Sequence, residues 1–209
     1  MRWIILIHII FLWNVFVYSQ DIHLSQYSSS LLNLSPAMTG LFDGDYRFNA
    51  IYRKQWQAVP VPYSTVSMSA EGKWNLPKIK KNVSYGILFN HDKSGDALYT
   101  INQFYLSVGY LHKLNKDSTM LVNTGFQMGY ASNVFNYNRM TFDAQFDGLS
   151  FNPSVATNES FYRNSLHYWD INVGFAFRYI LNQKNTFHVC FFNNAFEQSS
   201  CYILCEYFK

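Results

Sequence analysis

From residue 46 onward, bulky apolar side chains recur at every second position, the period of a strand with one apolar face. In one segment Phe104, Leu106, Val108, Tyr110 and His112 share a face, and Tyr105, Ser107, Gly109 and Leu111 share the other. In the next, Met120, Val122, Thr124, Phe126, Met128 and Tyr130 alternate with Leu121, Asn123, Gly125, Gln127, Gly129 and Ala131. A third sets Ile171, Val173, Phe175, Phe177, Tyr179 and Leu181 against Asn172, Gly174, Ala176, Arg178 and Asn182, with Ile180 out of phase. Weaker alternation runs through Tyr46, Phe48, Ala50 and Tyr52, through Val66, Met68 and Ala70, and through Val83, Tyr85, Ile87 and Phe89, while a seventh strand begins at Phe187.

These segments are roughly nine to twelve residues long, enough to cross a bilayer at a tilt of about 45°, whereas soluble strands average about five or six. A soluble sandwich shares the alternation, but its solvent face carries charge; here that face holds Gly, Asn, Ser, Gln and a few Arg. Aromatics near strand ends, Tyr52, Trp56, Tyr99, Tyr130, Tyr168 and Trp169, suit girdles at the two membrane interfaces. The expected fold is all-β, an antiparallel transmembrane β-barrel of the outer membrane. Its barrel type pairs short periplasmic turns with longer outer loops. By that parity the turns at 115–117 and 182–185 and the Lys78 to Lys81 loop face the periplasm, and the 133–167 segment and the His91 to Ala97 loop face outward.

Composition sharpens this picture. Aromatic residues make up 19% and charged residues only 14%, against about 25% charged in a usual globular chain. A mean hydropathy of −0.11 argues against a bundle of membrane helices. The one long apolar run, Trp3 to Val17 behind Arg2, reads as a secretory signal peptide, with a mature start near Gln20 or Asp21. A signal anchor is the alternative, for which about 15 apolar residues is short. The organisation expected is therefore a signal peptide at 1–19, an N-terminal periplasmic or turn segment at 20–45, a partial barrel of about seven strands at 46–190, and an atypical tail at 191–209. All three cysteines, Cys190, Cys201 and Cys205, fall near or within that tail, and 193–200 has no strand period. Because a single-chain barrel closes with an even number of at least eight strands, C-terminal truncation or a shifted frame near 190 is expected.

Little in the chain points to chemistry. The close trio His91, Ser94 and Asp96 reads as a loop, since a hydrolytic triad is defined by spatial geometry. His167 and Asp170 supply two ligands where zinc needs three or four. There is no Gly-rich phosphate loop, and Met120, Met128 and Met140 read as packing or lipid-facing residues. No catalytic residue, metal or cofactor is expected. A net charge of +3, with Lys78, Lys80 and Lys81 in a solvated turn, implies no nucleic-acid partner. Inward Arg47, Arg53 and Arg178 pair with interior acids or tune a pore.

Motifs cluster at the start. Ser25-Gln26-Tyr27 precedes Asn33-Leu34-Ser35-Pro36-Ala37-Met38-Thr39-Gly40, then Arg53-Lys54-Gln55-Trp56 and Pro62-Tyr63-Ser64-Thr65. Pro36 fixes φ and Gly40 permits positive φ, so 33–44 should form a structured turn before the first strand, with Trp56 as an interface anchor. Together these motifs resemble the PorP/SprF family of type IX secretion system membrane proteins, through Ser25, Gln26, Tyr27, Asn33, Pro36, Ala37, Gly40, Arg53, Gln55, Trp56 and Thr65. Looser similarity continues to about residue 190, at Gly86 with 92–95, at Gly125 and Gly129, and at 170–174; family members carry further C-terminal barrel beyond this. The resemblance implies a non-enzymatic outer-membrane component of the secretion or gliding machinery that assists export or surface attachment of cargo proteins. Its partners would be outer-membrane lipids, periplasmic lipoprotein and ring components, and the secreted cargo. A porin or hydrophobic-substrate transporter is the alternative class, and a lipid-acting barrel enzyme a third.

Overall fold

Each alternating segment of the sequence is a strand, and each strand pairs with the next. The computed structural model describes residues 29–58, 61–74, 82–95, 97–161, 163–182, 185–194 and 200–208. Eight strands follow in chain order, β1 (Tyr46–Gln55), β2 (Tyr63–Lys73), β3 (Val83–Ser94), β4 (Tyr99–Lys113), β5 (Met120–Val134), β6 (Ser165–Asn182), β7 (Asn185–Asn194) and β8 (Ser200–Phe208). They form one antiparallel meander, in which each strand pairs with the next in sequence even across the long connection between β5 and β6. Among the described residues, β1 and β8 are its two edges, and no helix is long and apolar enough to cross a membrane.

The register reproduces the sequence phase: Leu106 lies opposite Ile87 and Met128, and Met128 opposite Ile171. Several expectations change. The strand count is eight rather than about seven, because β8 occupies part of the expected atypical tail. Tyr202, Ile203, Leu204, Tyr207 and Phe208 favour extended backbone even without a two-residue polarity pattern. β3 runs on to Ser94, so His91 and Asp92 stand in a strand and the loop shrinks to 95–98. The out-of-phase Ile180 coincides with a register shift between Ile180 and Asn182. Tyr168 shares the inward phase of Asp170 and Asn172, so it does not join an outer girdle, while Tyr99 stacks on Phe135. Trp74 against Tyr85 and Trp56 against Tyr63 do pair aromatics at opposite ends of the sheet.

Burial is inverted relative to a soluble sandwich. Phe48 and Leu106 are 79% and 55% exposed, while Ser107 and Asn123 are each 2% exposed. The bulky face looks outward along β1 to β6 and the polar face is covered. In water that outer face would forfeit about 25 cal/mol for every Å² of apolar surface left wet; hydrocarbon removes the penalty.

What covers the inner face is the N-terminal segment. Helix α1 (Leu31–Leu34) is a single turn, followed by a 3-10 turn at Pro36–Met38, which starts where Ser35 Oγ accepts from the Ala37 N–H at 3.2 Å. Leu32, Pro36, Ala37, Met38 and Thr39 are all buried. This short stretch bonds or packs against β2, β3, β4, β5, β6 and β7, so the sheet curls around it.

Candidate functional site

The plugged inner face is the site that the fold builds. Its wall has a track of in-phase glycines where backbone meets backbone. A Cβ on Gly125 would overlap the carbonyl of Pro36, and one on Gly174 would lie 2.6 Å from Ser35 Oγ. At Gly109 it would lie 2.6 Å from the Thr39 carbonyl oxygen. A glycine repeated on one strand face marks such close approach.

Polar wall side chains then satisfy the plug backbone, as a buried peptide requires. Asn123 Nδ2 donates to the carbonyls of Ala37 and Thr39 at 2.5 and 3.0 Å, and Ser84 Oγ donates to Thr39 at 2.9 Å. The Gly40 N–H donates to Glu71 Oε2 at 3.0 Å, at a residue whose φ of +79° suits glycine. Glu71 Oε1 accepts from Arg47 Nε and Nη2 at 2.9 and 2.5 Å, a two-point clamp between directly opposed strand residues. Nearer the other end, Asn33 Nδ2 donates to Ser67 Oγ at 2.9 Å and Asn90 Nδ2 donates to Asn33 Oδ1 at 2.7 Å; Asn90 also reaches Gln103 at 3.1 Å. Beyond lies a third layer, where Tyr105 lies over Gly129 and its hydroxyl donates to Asp170 at 2.9 Å, and Asn172 donates to Gln127 at 3.2 Å.

The motif residues fall into two groups. Asn33, Pro36, Ala37 and Gly40 belong to the plug. Arg53, Gln55 and Thr65 share the inward phase near the opposite rim, where Thr65 hydrogen-bonds Asp92, and Trp56 turns out with φ +54° to meet Tyr63 at 5.1 Å. Ser25, Gln26, Tyr27 and the leader lie outside the described residues. Of the inward arginines, Arg47 finds its acid in Glu71. The possible chemical groupings do not assemble: His91 shares the outer phase with Asn102, its partner at 2.7 Å, whereas Ser94 has the inward phase and Asp96 lies outside the described residues. His167 stacks on Tyr130 on the outer face, opposite in phase to Asp170.

Sequence reasoning overlooked Glu71, Ser84 and Asn123 as plug contacts. One signal was available, because Glu71 is an acid on the inward phase of β2, directly across from Arg47.

An antiparallel sheet that turns its apolar face outward and fills its polar interior is a membrane β-barrel protein in class. Residues 16–200 match the family described as type IX secretion system membrane protein PorP/SprF, and the chain belongs to that family. No curated protein and no solved structure matches it.

Proposed function

We propose that the protein is a non-enzymatic outer-membrane component of the type IX secretion or gliding machinery, assisting export or surface attachment of cargo proteins. The observation that carries this reading is the filled interior. Residues 31–40 are hydrogen-bonded into the wall from β2 to β5, leaving a scaffold rather than an open conduit. A porin would need that space for water. In this reading residues 1–19 are a cleaved leader, and residues 31–40 of the segment at 20–45 enter the barrel as its plug. The end with short turns, including the 114–119 connection, faces periplasmic lipoprotein and ring components, and the long 135–164 connection faces outward.

Deleting the gene is expected to abolish surface display of particular secreted proteins, and the full chain supplied in trans to restore it. Normal secretion in the deletion strain would overturn the assignment. Reconstituted in planar bilayers, the protein should show no steady conductance; a stable open channel would favour the porin class instead.

A further inference from the structure

The connection between β5 and β6 holds a small folded unit that the plug and wall do not use. Gln145, buried within an exposed loop, organises it: its Oε1 accepts from the Phe142 N–H at 3.2 Å and its Nε2 donates to the Val155 carbonyl at 3.2 Å. The Asn152 N–H donates to the Gln145 carbonyl at 2.9 Å, and Phe146 and Phe151 form an antiparallel bridge. At the apex, Asp147 Oδ1 accepts from the N–H groups of Leu149 and Ser150 at 2.9 and 2.7 Å, and Gly148 takes φ +94°. Leu149 is thereby held 95% exposed, with Phe146 and Phe151 half-exposed beside it. Phe142 packs on Phe161, which stacks on Tyr137 at 3.8 Å, and Tyr137 stacks on Phe135, so the unit is tied to the barrel rim.

A rigid apolar tip held out into solvent is a preorganised docking feature, because little entropy remains to be lost on binding. Its charge selects the occupant. Residues 142–155 carry Asp143 and Asp147, both exposed, and no cation. The backbone N–H groups of Ser150 and Leu149 hold the Asp147 carboxyl below its usual range, so it stays ionised next to Leu149. An ionised carboxylate at the apex opposes entry into hydrocarbon and favours a basic surface. We infer that the tip formed by Phe146, Leu149 and Phe151 docks into a protein partner that offers an apolar pocket with basic side chains at its rim. The inference rests on the proposed membrane placement only in setting this loop outside the bilayer.

The test installs a photo-crosslinking p-benzoylphenylalanine at position 149 or, for comparison, at position 158 of the full chain in intact cells, with heat-modifiable migration confirming the folded barrel. A discrete protein adduct is expected from position 149 and none from position 158. Asp143→Asn with Asp147→Asn keeps the oxygen that caps the turn but removes both charges, and should weaken the adduct several-fold. Adducts to lipid alone, to a second copy of this chain, or equally from both positions would overturn the inference, as would no adduct or one insensitive to the charges. Normal secretion after gene deletion would remove the functional reading and leave the adduct untouched, so the two failures are distinguishable.

Discussion

Gly125, in the middle of β5, lies flat against the backbone of Pro36, with no room between them for even a methyl group. The plug is therefore in direct contact with the wall. Gly125→Val should lower stability by about 1–3 kcal/mol, the usual range for overpacking, and expose the N-terminal segment to protease. Urea unfolding in detergent micelles measures the first and limited proteolysis the second. An unchanged midpoint would mean that the plug does not rest on β5.

The Arg47–Glu71 pair predicts an asymmetric cycle. Arg47→Met strands the Glu71 carboxylate, whose side chain is 2% exposed, and should cost about 2 kcal/mol, less than the roughly 3–5 of a fully buried pair because Arg47 is partly solvated. Adding Glu71→Gln should recover more than half of that loss in the same unfolding assay. Strictly additive effects would show that the two residues are not coupled.

Leu106 separates a membrane wall from a soluble surface. It is more than half exposed at mid-strand, so in a soluble protein Leu106→Arg would change stability by within about 0.5 kcal/mol. In a bilayer the same change near the midplane should cost about 2–4 kcal/mol. Unfolding from lipid vesicles decides between these outcomes.

The Asp147 turn has a defined pH dependence. Its carboxyl sits below the ordinary carboxylate range because the Ser150 and Leu149 N–H groups bind the charged form. A depressed folded-state value contributes order above the ordinary carboxylate pKa, and that order is lost as pH falls through the lower one. The protection of the Leu149 and Ser150 amides against exchange, taken relative to the intrinsic rate at each pH, should hold from neutral pH down to about pH 4 and fall only in stronger acid. Asp147→Ala should lower that protection at neutral pH and leave little difference from the unmodified chain in strong acid.

Much of the wall was legible because a strand's polarity is written locally. The phase of Phe104 to Tyr110, of Phe126 to Tyr130 and of Ile171 to Phe177 places each residue correctly on the outer or inner face. Composition alone groups Tyr168 with Trp169 as an aromatic strand end, yet adjacent residues in a strand face opposite ways, and only Trp169 faces outward. The 202–208 stretch was missed as a strand because it lacks polar alternation, and its pairing with β7 is a property of the neighbour.

Alternation, composition and the glycine positions, all within the chain itself, determined an antiparallel membrane sheet and which side of it meets lipid, because a two-residue period couples each side chain only to its immediate neighbours. That residues 31–40 fill the interior was decided in three dimensions. Asn123 and Ala37 are 86 positions apart, and no local pattern specifies which distant carbonyl an inward amide will meet until the sheet has curled to bring them together.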